Sequence, residues 1–421
     1  MSQPSIPPGP SSRGRGRGHG QASRGGRRQP SQSQGSKPSW KLPPRRDFVD
    51  GLVPTPVQIL HPPECSPGMI TQIENLEYVG SYSWADEDSP TIIVPGPPRW
   101  RNRPLPFTLR PDRGARFKDQ NSFRMPSSVL LPLMKAVDIV GKEIDWPAID
   151  FVTDRNGLMK LMEWIEKGPR CSTFRIDMEL VGERTVLFNR FETNTKDIAR
   201  GNTFGFIFER EATVPAPGCE RATGHRRIVK YDFYGLKMMV RFEVDAYIAG
   251  DHGAGSENLT TTATENLADL LANVDIVSDT SPSPNLRIIR GGSEVPQDSI
   301  MTMETRSTKN DRYRWPDMYL KFYLSQTPWY FIGIHEDGKF ITYRNHHVMG
   351  DGMAGRRRKV EKGLHRLGRA LEMIQRVMVA HGTGKRLSLL CEDGVLGVYE
   401  WVSNASCLPE DVKRRFVSKA S

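Results

Sequence analysis

The chain has 421 residues but only five cysteines: Cys65, Cys171, Cys219, Cys391 and Cys407. They are scattered, odd in number and form no Cys-x-x-Cys pair. That argues against a disulfide framework or a structural zinc, and suits a reducing compartment. No apolar run approaches the roughly 20 residues that span a bilayer. The N-terminus carries no signal-peptide apolar core, so no membrane partner is expected. Acidic residues are missing altogether from positions 1–46, which hold ten Lys or Arg. Of 59 basic residues, 49 remain beyond the tail to face 49 acidic ones, so the whole net charge of +10 lies in those first residues.

What is there begins with that tail, "SSRGRGRGHGQASRGGRRQPSQSQGSKP". Gly, Ser, Gln, Pro and Arg cannot bury apolar surface, which predicts disorder over 1–47. Arg in a Gly-rich context suits phosphate contact and stacking on bases, an RNA tether. A solubilising tail or an import signal is the plainer alternative. The "GRGRGRG" string has no strand before it and no helix after it, so it is not a dinucleotide-binding loop.

Residues 48–421 read as one large α+β domain of mixed, largely antiparallel sheets flanked by a few helices. Residues 48–125 are rich in Pro and aromatics and suggest an irregular arm with short strands such as Thr91–Val94. A helix is expected over Ser128–Val140. A strand ending near Thr153 should turn into a helix over Gly157–Glu166. "FRIDMELVGERTVLFNRF" and "LSLLCEDGVLGVYEW" read as hairpins, and "NTFGFIFERE" as a strand. "HRRIVKYDFYGLKMMVRFEVDAYIAG" reads as two strands joined at Tyr234-Gly235. Residues 251–285 hold six acidic residues, nine Ser or Thr and no Lys or Arg. They predict a flexible insertion with one short helix at Glu265–Ala272. Val360, Leu364, Leu367, Leu371, Ile374 and Met378 make the apolar stripe of a long helix whose other face is basic.

"RFEVDAYIAG" (241–250) poses the functional question. On one alternation of this strand-like run, Glu243 and Asp245 stand about 7 Å apart and repel each other. Glu209 closes "GFIFE" and Glu304 sits in "TMETR", both expected on strands. Four carboxylates with apolar neighbours can hold Mg2+ or Mn2+, because hard cations take oxygen ligands. Taken singly, each acid reads as the solvent face of a half-exposed strand. "HGTGKRLS" lacks phosphate-loop spacing, and His346-His347 reads as a solvent loop pair.

"FVTDRNGLMKLMEW", "GFIFE", "FEVDAYI", "METRS" and "KFYLSQTPWYFIGIHEDGKF" occur in that order over about Asp150–Arg344. The run resembles the eukaryotic decapping nucleases, which act on RNA 5′ ends. That family shows Arg in a strand-turn-helix, a "GYKFE"-like Glu and an acidic-x-Asp strand. A Glu-x-Lys strand and a Gln in "QSFLxGxPxxxxGxRxxxG" follow. The resemblance implies that Arg155 contacts substrate phosphate and that Glu209, Glu243, Asp245 and Glu304 bind the metal. It also implies Glu243, Asp245, Glu304 and Gln326 as catalytic residues. "MTMETRST" departs from the fourth motif in either register. One places Glu304 at the glutamate and Arg306, as a substrate-binding cation, at the lysine. The other, aligned on the shared Thr, places Thr302 at the glutamate and Glu304 at the lysine. Neither keeps the lysine, so a weakened hydrolase and a binding-only relative both remain open. The resemblance further implies RNA 5′ ends as partner, a nuclear 5′–3′ exonuclease as a second, and a nuclear or cytoplasmic location.

Deleting residues 1–46 removes ten cations. RNA affinity should fall and its dependence on salt should flatten, with folding unchanged. An unaltered salt slope in a filter-binding titration would sink the tether.

Overall fold

The computed structural model describes residues 43–65, 72–199, 201–249, 276–277, 286–310, 315–403 and 405–418. The expected tail up to residue 42 lies outside them. So does the insertion at 251–285 with its helix at Glu265–Ala272, apart from Ile276–Val277. From residue 42 onward the chain is one compact unit.

Strand β1 (Glu74–Ala85) is followed by helix α1 (Leu131–Val140), whose Pro132 falls in the first turn, where no amide hydrogen is missed. Strand β2 (Phe151–Asp154) runs directly into helix α2 (Arg155–Lys167). The hairpin β3 (Phe174–Val181) and β4 (Thr185–Phe191) leads to helix α3 (Gly205–Glu211). Strand β5 (Ala222–Phe233) turns at Tyr234-Gly235 into β6 (Leu236–Val244), and β7 (Ala246–Tyr247) follows one residue later. Next come β8 (Ile300–Ser307), helix α4 (Trp315–Ser325) and the hairpin β9 (Trp329–Glu336) and β10 (Lys339–His347). Helix α5 (Ala354–His381) and the hairpin β11 (Arg386–Glu392) and β12 (Val395–Glu400) complete the set used here.

Among the described residues these strands form a large twelve-stranded sheet and a second sheet of seven. In the first, β4, β2 and β6 lie side by side and parallel at the centre, while most other neighbours are antiparallel. The fold is therefore the expected mixed α+β class. Helices α2, α4 and α5 cover one face over a core that includes Phe151, Leu161, Trp164, Val240 and Phe322. Helix α1 covers the other face. The predicted stripe of α5, from Val360 to Met378, is buried throughout. Each such side chain contributes about 1.5–3 kcal/mol. No helix among the described residues is long and apolar enough to cross a membrane.

Three expectations are corrected here. The strand expected at Thr91–Val94 is present as Thr91–Pro95, but residues 48–125 are not simply an irregular arm, because β1 is a long interior strand between β5 and Thr91–Pro95. "GFIFERE" is helix α3 and not a strand. Phe204, Phe208 and Ala212 are buried while Phe206 is 55% exposed, so the run obeys a step of four and not of two. A carboxylate oxygen of Asp112 accepts from Ile207 N at 2.8 Å and caps the helix start. His346 and His347 also end strand β10 and do not form a loop.

Arg241 on β6 and Asp154 on β2 are direct register partners. The guanidinium, 1% exposed, donates from Nε to Oδ1 at 2.6 Å and from Nη2 to Oδ2 at 3.0 Å. Its Nη1 donates to Tyr82 Oη and Val129 O. Burial pushes the Asp154 carboxyl up, but Arg241 outweighs it and holds it below the usual range. Arg241→Met should therefore lower stability by about 3–5 kcal/mol in urea unfolding, because Asp154 would be left buried and unpaired. Arg241→Met with Asp154→Leu should recover much of the loss. Equal stability of the single variant and wild type would show that the pair does not hold this edge.

Candidate active site

The run from Arg241 to Gly250 is not one continuous strand. Strand β6 ends at Val244, and β7 begins at Ala246 in the other sheet, so Asp245 is the residue at which the chain crosses between sheets. Main-chain bonds fix the crossing: Asp245 N donates to Met301 O at 3.2 Å, and Met303 N donates to Asp245 Oδ2 at 2.6 Å. The carboxylate is thus tied to β8 by its backbone and its side chain together.

Glu243, the last outward residue of β6, lies opposite Arg226 of β5, whose Nη1 donates to its Oε1 at 2.8 Å. Its side chain is 54% exposed, at the mouth of the site. Partial loss of solvent pushes its carboxyl up, but Arg226, then Arg155 and Lys321, outweigh this and keep it below the ordinary value. Glu209 comes from α3. Burial first, then Asp245 and Glu243, push its carboxyl well above the ordinary value. Asp245 is pushed up to about 6, mainly by burial; Glu243 adds to the rise while Lys321 and Met303 N oppose it. Glu304 of β8 accepts from Tyr330 Oη at 2.8 Å and from Arg306 Nη2 at 3.1 Å. Thr302, two residues earlier, is buried and its Oγ1 has no hydrogen-bond partner.

Arg155 opens α2 directly after Asp154, so the Arg241–Asp154 pair places it. Its guanidinium is 5.9 Å from the Phe242 ring centroid, and its buried Nη1 finds no hydrogen-bond partner. Burial lowers it to about 10, against the pull of Glu243 and Asp245. It therefore stays charged at neutral pH.

Glycine at 333 positions Glu209 indirectly. A Cβ on Gly333 of β9 would come within 2.7 Å of the Phe208 ring. Phe208 also stacks on Phe340 at 4.8 Å and 15°, which seats α3 on the second sheet.

Glu209, Glu243, Asp245 and Arg155 are thus joined by electrostatics at the sheet crossing, while Glu304 is linked to them through Lys321 and holds Arg306. Gln326 is turned elsewhere. Its Nε2 donates to Tyr323 O at 2.6 Å, and it lines a cavity of about 250 Å³ with Tyr319, Tyr323 and Arg357. The residues missed from sequence are Arg226 and Lys321. Lys321, half-buried on α4, is lowered by burial and by Arg155, and is raised by Asp245, Glu304 and Glu243. A signal for it existed. If the family pattern is anchored on Leu324, Pro328 and Gly333, its glutamine falls on Lys321 and its first glycine on Gln326. Gln326 has φ 49°, the left-handed region that favours glycine.

A divalent cation fits the chemistry of this donor set. The ligands are oxygens, the Thr302 hydroxyl is unsatisfied, and two carboxyls are pushed up where a cation would relieve them. Among the described residues, no three His, Cys, Asp or Glu side chains already form a group that could hold a metal ion. The acids converge without closing into a cage.

The fold is that of the decapping nucleases. Rai1 of Scheffersomyces stipitis superposes with a TM-score of 0.51 at 10% identity, over 85% of this chain and 97% of that one. The same protein in complex with (3′-NADP)+ and calcium ion gives 0.50 at 11% identity, over 86% and 98%. Rai1 of Candida albicans in complex with pU5-Mn2+ gives 0.51 at 10% identity, over 85% and 98%. No curated protein matches the chain by sequence. The chain belongs to the family described as a domain of unknown function, DUF8563, which matches residues 57–417.

The raised carboxyls give a pH signature. Folded Asp245 and Glu209 hold protons more tightly than in the unfolded chain. The metal-free fold therefore gains stability as pH falls from about 6 toward about 4, and loses it as pH rises. Asp245→Asn keeps an acceptor for Met303 N. It should flatten that part of the Tm–pH curve and raise Tm at pH 7.5 by about 1–3 °C. A curve superimposable on the wild type would remove the repulsion argument.

Proposed function

We propose that the protein hydrolyses phosphate bonds at RNA 5′ ends with Mg2+ or Mn2+ as cofactor. The observation that carries this reading is the clustering of Glu209, Glu243 and Asp245 beside an unsatisfied, buried Arg155 donor, with Glu304 linked to them through Lys321. When bound among these acids, the cation would polarise the phosphoryl group and make a bound water acidic enough to attack it. Arg155 Nη1 donates to the phosphate and holds it against the acids. Glu243, kept ionised by Arg226, accepts a hydrogen bond from water at the mouth. Asp245, anchored by Met303 N, and Glu209, seated by Phe208, hold their oxygens toward the same space.

A binding-only relative on the same fold is the second reading. What favours it is that Arg226 already neutralises Glu243, while Tyr330 and Arg306 engage Glu304. In either case the folded domain spans 48–421, and the basic tail tethers RNA. A nuclear site of action and a 5′–3′ exonuclease partner rest on the family resemblance.

The test is 5′-triphosphate and capped RNA with and without Mn2+. Metal-dependent release of the 5′ group is expected, reduced about a hundredfold or more in Asp245→Asn. Mn2+ should raise the Tm of the wild type and not that of Asp245→Asn, because only a ligand of the native state stabilises it. RNA binding without any metal-dependent turnover would decide for the second reading.

A further inference from the structure

Outside the tail, the charges of the chain balance, yet "RWRNRPLPFTLRPDRGARFK" (99–118) holds seven Lys or Arg and one acid, Asp112. Asp112 is buried and spent on the start of α3, so the outer surface of the stretch is cationic. Arg99, Arg101, Arg110, Arg113, Arg116 and Lys118 are exposed. Among the described residues only Arg103 of the seven is in an ion pair, with Glu211 at 3.2 Å. A row of solvated cations is ordinarily plain surface. What singles this one out is where it is fastened. Arg101 N donates to Ala212 O at 2.8 Å, just past the last turn of α3, while Asp112 accepts from Ile207 N at the first turn. The stretch therefore grips both ends of the helix that carries Glu209. That helix has seven residues, so it is roughly 10 Å long, and Glu209 lies within about one helix length of either attachment. Arg99 is also the register partner of Tyr247, two residues past Asp245, and Tyr247 N donates to Pro98 O at 3.0 Å.

We propose that this stretch is the track of the RNA chain downstream of its 5′ end, with Arg110, Arg113, Arg116 and Lys118 as contacts to its phosphates. This deepens the hydrolase reading and rests on it. A polyanion whose first phosphate is held among carboxylates must place its following phosphates near those same acids. Cations fastened to the acid-bearing helix offset that repulsion and draw the chain along one side. The backbone keeps them turned outward. Buried Phe107 and Leu109 alternate with exposed Thr108 and Arg110. Phe107 stacks on Phe340 at 5.1 Å and 14°, and Leu109 N donates to Gly338 O at 2.9 Å. Farther on, Ala115–Phe117 pairs with Lys196–Ile198, and Lys118 N donates to Thr195 O at 2.8 Å. Arg116 and Lys118 fall on one alternation there, while Phe117 on the other meets Lys196 Nζ at 4.7 Å from its ring centroid. From Arg110 to Lys118 the chain reaches at most roughly 28 Å, so the track serves several nucleotides and not one. Contacts of this kind grip the backbone and read no base, so affinity should follow RNA length more than sequence.

The experiment measures binding of 5′-phosphorylated oligouridylates by fluorescence anisotropy in EDTA over a series of salt concentrations. One RNA has about two nucleotides and the other about twelve. The full chain is used throughout, so the basic tail is the same in every protein. Arg110→Gln, Arg113→Gln, Arg116→Gln and Lys118→Gln are combined in one variant. Its affinity for the longer RNA should fall about tenfold or more, and the slope of log affinity against log salt should shrink by about two to three. The loss on the dinucleotide should be small. Arg110→Lys, Arg113→Lys and Arg116→Lys together should keep the wild-type slope, because the charge stays. A control combining Arg358→Gln, Lys359→Gln, Lys362→Gln and Arg369→Gln removes as many exposed cations from α5 and should also keep it. Melting curves of every variant report folding. An unchanged slope in the first variant, or an equal loss in the α5 control, overturns the inference and leaves the hydrolase reading standing. If wild type shows no metal-dependent turnover of 5′-triphosphate RNA, the hydrolase reading fails, and the salt slopes still decide this surface.

Discussion

A single buried ion pair sets the frame for the site. Arg241 and Asp154 face each other across the parallel strands β6 and β2, joined by two hydrogen bonds, with Tyr82 and Val129 O satisfying the remaining guanidinium edge. The next residue after Asp154 is Arg155, and two residues after Arg241 is Glu243. A slip of one residue in this register would turn Glu243 toward the core and rotate Arg155 away from the acids. The pair is thus less a source of stability than a fixed origin from which phosphate-binding and acidic residues are measured. Its burial makes that origin rigid, since a broken buried pair leaves a charge with no water to receive it.

The rest of the site is assembled from places that are distant in sequence. Helix α3 brings Glu209 on the strength of one aromatic contact, Phe208 on Phe340, which the missing side chain of Gly333 permits. Helix α4 brings Lys321 because its apolar residues are sunk in the main core. Strand β8 brings Glu304 and Thr302 and locks Asp245 by a backbone amide. Negative charge here is partly matched by arginine and lysine and partly left unmatched, as the raised Glu209 and Asp245 carboxyls record.

Much of the fold was readable before any coordinates. The stripe of α5, the two hairpins, and the strand-to-helix junction at 154–155 follow from apolar spacing and turn residues. The interior position of β1 was hidden because prolines and aromatics around it looked like irregular chain. Helix α3 reads as a strand in the sequence because Phe204 before it and Phe206 and Phe208 within it satisfy a two-residue period as well as a four-residue one. Only the exposure of Phe206 decides between them. At the site, the four acids are legible because carboxylates among apolar residues are costly, and Arg155 only through the family resemblance. Lys321 is not, because a lysine in a helix is ordinary surface unless the three-dimensional neighbours are known. Gln326 drew attention as a residue type. Its left-handed backbone, which only the fold reveals, marks the position as one that suits glycine.

The crossing at Asp245 limits which substitutions the site can take. Asp245 is held by the main chain of β8 through both its amide and its carboxylate. Lengthening or moving it would unseat the junction of two sheets. Lys321 and Glu304 hang on separate elements, and neither side chain carries the crossing. A substitution at either leaves the backbone bonds of the crossing in place. The fixed point of the site is then the place where the backbone changes sheets.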